Sequence, residues 1–239
     1  MSSLLISDVH LSPHHPKISE AFFNFLKNEA ADSTSLYILG DLFEAWIGDD
    51  DREPLSRKVI LSLRNLTEQG VTVYLMQGNR DFLYGKKFAA QTGCKLLSDH
   101  HVLSYPNKTV LLLHGDTLCT ADKQYQRFRL IARSPLLRFI LTNLPITFRQ
   151  KIAEILRSKS KKLNANKSEN IMDVSISEVD RIMDKYNANI MIHGHTHRPR
   201  IHEQQFGKRF VLGDWDKNGW FICISNEENF DLISFKIGD

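Results

Sequence analysis

The sequence predicts an α/β fold, on three observations. Short apolar runs alternate with longer helical patterns early in the chain, and further apolar runs crowd together near its end. Of the 239 residues 42% are hydrophobic, enough for a single domain with a real core.

In chain order, 4–7 reads as a strand, 18–31 as a helix, 36–39 as a strand, 55–68 as a helix and 71–76 as a strand. That order is the pattern of parallel strands joined by crossover helices. Runs at 109–113, 189–192, 209–212, 220–224 and 232–235 read as further strands, and their close spacing toward the end predicts a partly antiparallel, meander-like half. No internal repeat or low-complexity tract is present.

Composition narrows the classes. A quarter of the residues are charged but the formal net charge is only +3, so the overall balance does not announce a nucleic-acid binder. Cys94, Cys119 and Cys223 are odd in number and lack a CxxC pair, which predicts neither a disulfide framework nor a thiolate zinc site and points to a reducing compartment. The chain runs into Asp8 without a basic start or a long apolar stretch, so no signal peptide is expected. Eighteen consecutive apolar residues occur nowhere, which argues against a spanning helix and leaves surface association with a membrane open.

One segment departs from the rest. Residues 123–167 hold twelve basic residues and one acid, Glu154, a net +11 against −8 elsewhere. Apolar residues such as Phe128, Leu136, Phe139, Phe148 and Ile155 are interleaved with those charges, and Pro135 and Pro145 mark breaks between two or three amphipathic helices. Dense apolar content fits membrane or acyl contact better than nucleic acid.

The chemistry sits at strand ends, where α/β proteins usually place it. Asp8 and His10 are two apart, and an extended strand would put both on one face; His195 and His197 repeat the geometry. Asp41 follows Gly40, Asn79 follows Gly78, and His114 precedes Gly115, each just after an apolar run. Two carboxylates, four imidazoles and one amide oxygen form a ligand set without sulfur, suited to manganese, iron or zinc rather than calcium. One carboxylate can bridge two ions about 3.5 to 4 Å apart, and Asp41 is the expected bridge.

The ordered set Asp8-x-His10, Gly40-Asp41, Gly78-Asn79, His114 and Gly194-His195-x-His197 resembles the calcineurin-like metallophosphoesterase superfamily across almost the whole chain. The stretches from Tyr37 to Asp51, Gly78 to Leu83, His114 to Cys119 and Ile192 to Pro199 resemble more narrowly its UDP-2,3-diacylglucosamine hydrolase family of Gram-negative bacteria. The resemblance implies one domain over 1–239, a two-layer mixed β-sandwich flanked by helices, with a helical lid at 120–170. It implies cleavage of a UDP-linked diacylated glucosamine by two divalent ions, manganese by carry-over. Asp8, His10, Asp41 and His197 would hold one ion, and Asp41, Asn79, His114 and His195 the other. It also implies a cytoplasmic protein peripherally associated with the inner membrane, and matches Asp122, Tyr125, Ser160, Asn164 and Lys167 to contacts with the glucosamine phosphate, beside Asn79, Arg80 and His195. No obligate protein partner and no nucleic acid are expected.

Arg80 stands where the broad superfamily usually carries a histidine. A pyrophosphate releases a phosphate whose second pKa is near 6, so no general acid is required and a permanent forked cation suits the leaving group. A surface salt bridge is the plainer reading. His14, His15, His100, His101 and His202 read as solvated loop residues. His193 fits either a support for a ligand or a core imidazole satisfied by backbone, Asp49, Asp50 and Asp51 read as a turn and helix start, and Trp46 as cleft lining or core.

Overall fold

Every residue of β2 (Ser35–Leu39) is buried, because the strand lies between two packed layers. Leu36 and Ile38 face a core shared with helices, whereas Tyr37 and Leu39 face a second sheet. The same split divides β1 (Ser2–Ile6), with Leu4 and Ile6 on one side and Leu5 on the other. Strands covered on both faces read as continuous apolar runs, which is why these were visible in the sequence.

The computed structural model describes residues 2–165, 173–226 and 229–238, with backbone alone for 161–165. After β1 come α1 (Pro16–Asn28), β2, α2 (Pro54–Glu68), β3 (Thr72–Met76), α3 (Lys86–Thr92) and β4 (Lys95–Leu96). β5 (His100–Tyr105) and β6 (Lys108–Leu113) form a hairpin. α4 (Lys123–Ala132), α5 (Pro135–Asn143), α6 (Ile146–Ala165) and α7 (Ile176–Lys185) follow. The chain ends with β7 (Ile190–His193), β8 (Arg200–Gln204), β9 (Gly207–Val211), β10 (Asn218–Ser225) and β11 (Asn229–Lys236).

Six strands in the order β11-β10-β1-β2-β3-β4 make one mixed sheet, and β5-β6-β7-β9-β8 the other. β1 to β4 run parallel, as do β6, β7 and β9, while β10 and β11 are antiparallel. Leu5, Leu39, Met76, Leu112, Ile192, Phe210 and Ile222 fill the space between the sheets. α1 and α2 each begin with proline at the first turn, where its missing N–H costs nothing, and bury one face on the six-stranded sheet. Phe22 of α1 is fully buried, which stabilises by roughly 2–3 kcal/mol. α7 covers the second sheet through Val179, Ile182 and Met183. The molecule is therefore a two-layer mixed β-sandwich flanked by helices.

α3, α7, β4, β5 and β8 lie outside the expected elements. β8 is a polar edge strand that carries no apolar periodicity. The loop reading of three histidines is corrected here: His100 and His101 lie in β5, where His100 stacks on Tyr186 at 5.4 Å, and His202 lies in β8. His14 and His15 are exposed ahead of α1. Among the described residues no helix is long and apolar enough to cross a membrane.

Candidate metal centre

Parallel strands present their carboxyl ends on one side, and the loops leaving β1, β2, β3, β6 and β7 carry the seven candidate ligands. The strand argument for Asp8-x-His10 needs correcting, because β1 has already ended at Ile6. Asp8 (φ 53°) and His10 (φ 54°) are both left-handed, as are Asp41 (φ 52°), His195 (φ 67°) and His197 (φ 56°). Asn187 and Asn226 complete the non-glycine residues with positive φ among those described. Left-handed backbone costs about 1–2 kcal/mol per side-chain-bearing residue, and here it collects on five of the seven candidate ligands. The turns that aim these side chains inward are fixed by surrounding hydrogen bonds. Asp8 N–H donates to Gly40 O (3.1 Å), His10 N–H to Asp41 O (3.0 Å) and His195 N–H to Asp8 Oδ2 (2.8 Å).

Two half-sites result. In the first, His10 Nε2 lies 3.3 Å from His197 Nε2, and Asp8 Oδ1 is 3.3 Å from His197 Nε2 and 3.9 Å from His10 Nε2. Asp8 Oδ1 is buried and has no hydrogen-bond partner. In the second, His114 Nε2 lies 2.9 Å from Asn79 Oδ1 and 3.8 Å from Asp41 Oδ1. His114 Nδ1–H donates to Leu39 O at 2.9 Å, so in the neutral ring Nε2 bears a lone pair facing two oxygen lone pairs. Such convergence needs positive charge at its centre, and the oxygen and nitrogen donors suit a divalent transition metal. The residues present therefore fit the ions. Close packing leaves no slack, since a Cβ on Gly78 would sit 2.1 Å from Asp41 Oδ1 and one on Gly194 2.0 Å from Asp8 Oδ2.

Burial and mutual charge move the titrating groups of the cluster in both directions. Burial opposes charge on His197, but Asp214 and Asp8 outweigh it and raise its pKa to about 10. His114 also moves up, burial being outweighed by Asp41, Asp8 and Asp116. Burial, reinforced by His114, holds His195 down to about 4, and burial with Arg80 holds His10 well below the ordinary value. Burial raises Asp41 to about 7, whereas for Asp8 burial is outweighed by His197 and neighbouring imidazoles, which keep it well below the carboxylate range.

Arg80 is part of this cluster. Its Nη1 donates to Glu44 Oε2 at 2.5 Å and its Nε lies 3.5 Å from Asp41 Oδ2. Glu44 also lies 3.4 Å from His10 Nδ1 and pairs with Arg157 of α6, so it joins the centre to the basic segment. Sequence reasoning gave Glu44 no role; its position three residues after Asp41 was the available signal. Asp116, two residues after His114, was missed for the same reason.

Other expectations resolve structurally. His193 is a core imidazole: its Nδ1–H donates to Gly194 O at 2.8 Å and its Nε2 accepts from Arg209 at 3.1 Å. Burial and Arg209 bring its pKa down to about 3. Trp46 packs in the core against Phe43, Tyr84 and Phe88. Asp51 accepts from Glu53 N–H and Ser56 at the start of α2, while Asp49 accepts from Gly85 and Phe88 N–H around the start of α3. Asp50 instead pairs with the buried Arg149 of α6.

Of the residues matched to a glucosamine phosphate, Asp122 caps α4 by accepting Tyr125 N–H, and Tyr125 donates its hydroxyl to Asp116 at 2.6 Å. The Tyr125 ring lies 6.0 Å from that of His195. Ser160 is exposed on α6; Lys167 lies outside the described residues, as does the side chain of Asn164. A cavity of about 750 Å³ lies away from the ligand cluster, between Asp50–Glu53 and the α5–α6 corner, lined also by Arg149.

Residues 1–199 match the calcineurin-like phosphoesterase family. The chain is 48% identical over 236 residues to a UDP-2,3-diacylglucosamine hydrolase of Pseudomonas fluorescens (strain Pf0-1), covering 97% of this chain and 95% of that one. It is 47% identical to the protein of the same name from Pseudomonas syringae pv. tomato, again covering 97% and 95%. An archaeal phosphodiesterase structure shares the fold with a TM-score of 0.50 at 11% identity, covering 98% of this chain and all of that one. A cluster of carboxylates and imidazoles at the strand ends and a match over most of the sequence agree: the chain belongs to the calcineurin-like phosphoesterases, and within them to the group of the UDP-2,3-diacylglucosamine hydrolases.

Proposed function

We propose that this chain hydrolyses the pyrophosphate bond of UDP-2,3-diacylglucosamine to UMP and 2,3-diacylglucosamine 1-phosphate (lipid X), a step of lipid A biosynthesis. The observation that carries the reading is the convergence of Asp8, His10, Asp41, His114 and His197, with Asn79 Oδ1 against His114 and the His195 ring 5.0 Å from the His114 ring, from five strand-end loops. Similarity over 97% of the chain to proteins of that activity supports the substrate.

Asp8, His10, Asp41 and His197 would hold one divalent cation, and Asp41, Asn79, His114 and His195 a second, with Asp41 shared. Manganese is the ion proposed. When bound, the cations supply Lewis acidity to water and positive charge to phosphate oxygens. Hydrolysis forms a bond from water oxygen to the α-phosphorus and breaks the bond to the bridging oxygen, which leaves with lipid X. That leaving phosphate has a second pKa near 6 and departs without needing a proton. Arg80 neutralises it through paired hydrogen bonds, leaving Glu44 to do so.

The basic segment receives the lipid. Leu136, Phe139, Phe148 and Ile155 of α5 and α6 are each at least 60% exposed, a surface suited to acyl chains. Exposed Lys151 and Lys159 of α6 favour an anionic surface, by about 1 kcal/mol each. In this reading the protein is cytoplasmic and rests on the inner membrane. Ser160, Asn164 and Lys167 would meet the glucosamine phosphate.

Incubation with the lipid substrate and Mn²⁺ in ¹⁸O-water, followed by mass spectrometry, tests the reaction. Labelled UMP and unlabelled lipid X are expected, and neither product should form after demetallation. Label in lipid X would move the attack to the β-phosphorus, and undiminished turnover without metal would remove the cations from the mechanism.

A further inference from the structure

The first helix of the basic segment docks through Arg129 and, just after it, Arg133, whose side chains are each 12% exposed. Asp116 is 2% exposed, and its Oδ2 accepts from Tyr125 Oη and from Arg129 Nε, both at 2.6 Å. Gln126 Nε2 donates to Asp116 O (2.8 Å) and Cys119 O (3.1 Å). Arg133, directly after α4, donates through Nη1 to Asp99 Oδ1 (2.5 Å) and through Nη2 to Gln77 O (3.1 Å) and Gly78 O (2.9 Å). Those two carbonyls belong to the loop that carries Asn79.

Three ligand loops are touched from this helix, those of Asn79, His114 and His195: Arg133 holds the first, Asp116 follows the second, and the Tyr125 ring lies against the third. They carry three of the four ligands assigned to the second cation, the fourth, Asp41, being shared with the first. The first half-site has other supports, with Asp214 Oδ2 3.3 Å from His197 Nδ1 and Glu44 beside His10. A detachable cover would not place a guanidinium on backbone carbonyls under the site, where removing it strands two acceptors.

We propose that α4 and Arg133 are a built-in support of the second cation half-site, and that Arg133 is a positioning residue for Asn79, acting through the Gln77 and Gly78 carbonyls. The inference rests on the two-cation reading above. It separates the basic segment into a buttress that belongs to the chemistry and a lipid-facing part, α5 and α6, that follows it.

The test is Arg133→Lys, which keeps the charge and loses the fork, beside Arg133→Gln, which keeps a neutral donor. Arg127→Lys, on the exposed side of the same helix, is the matched control. Mn²⁺ affinity is read from free-ion electron paramagnetic resonance, and amide exchange is read on the metal-free full-length proteins. Gly78 N–H and Arg80 N–H, which donate to Asp81 Oδ1 (2.7 Å) and Asp41 Oδ1 (2.9 Å), are the reporters. Both Arg133 variants should weaken one of two bound Mn²⁺ ions by roughly 10–100-fold, leave the other within about threefold, and speed exchange at 77–80 alone. Arg127→Lys should change neither. Wild-type protein that binds fewer than two ions would sink the two-cation reading. Two ions in the wild type with unchanged affinities and exchange in the Arg133 variants would overturn the positioning role, and so would exchange that rises uniformly through both sheets.

Discussion

The strand-end loops and the basic segment solve opposite problems. The loops hold strained, left-handed aspartates and histidines in place with buried backbone hydrogen bonds, so their few side chains converge to within 4 Å. The segment leaves large apolar side chains in water and is tied down by arginine. Arg129, Arg133, Arg149 and Arg157 pair with Asp99, Asp116, Asp50 and Glu44 of the body, and Arg138 donates to Tyr84 O. Five of its six arginines thus face the body, where the acidic excess lies, and its exposed lysines and Arg127 face outward. The lesson is that a strongly basic composition records docking within the chain first and external partners second.

That contrast can be broken at its strongest point. Asp41→Ala should lose both ions and lower turnover on the order of a thousandfold or more, because the lost ligand serves two cations worth several kcal/mol of transition-state charge. Asp8→Ala should retain one ion and lose less, as metal analysis beside turnover will show. Two tightly held ions in the Asp41 variant would end the shared-ligand assignment.

A smaller effect is expected where the two regions meet. Arg80→Ala removes a charge-assisted contact of about 1.5–3 kcal/mol, so cleavage should slow roughly ten- to a hundredfold. Arg80→Lys should recover part of it, since the ammonium keeps charge without the fork. An unchanged rate would reduce Arg80 to the ion pair it makes with Glu44.

The smallest effect concerns docking alone. Buried Arg149 donates to Ile47 O at 2.6 Å and pairs with Asp50, in space kept open by Gly48, whose added Cβ would lie 2.2 Å from Arg149 Nη1. Arg149→Ala should loosen α6 by about 2 kcal/mol, seen as faster limited proteolysis within the segment, with the two-ion stoichiometry intact. The Arg149 hydrogen bonds hold the Asp50 pKa below its ordinary value. A carboxylate with a depressed folded pKa adds stability above its unfolded pKa, near 3.9, and loses it as pH falls through the folded value. Acid below about pH 4 should therefore reproduce the loosening in the wild type and add little in Arg149→Ala.

Much of this was legible in the sequence, for identifiable reasons. Strands buried on both faces, such as β2, show as apolar runs, and the ligands follow those runs in order. β8 was not legible because an edge strand is polar, and α7 because attention to apolar runs passes over a short amphipathic helix. The left-handed turns at Asp8 and His10 leave no trace beyond the i, i+2 spacing, which an extended strand would also produce. Arg133 left no signal because a single charge has no periodicity, and Glu44 and Asp116 left only their spacing after Asp41 and His114; only the fold brings Asp116 and Asp99 beneath α4.

In the proposed reading, chemistry resides in the body with α4, and lipid selection in α5 and α6. That reading is tested most directly by replacing 135–165 with a short Gly/Ser linker while keeping α4 and Arg133. Two bound Mn²⁺ ions and retained hydrolysis of a small chromogenic phosphodiester are expected, with cleavage of UDP-2,3-diacylglucosamine and binding to anionic vesicles largely lost. Cleavage of the lipid substrate at the full rate by that protein would contradict the reading.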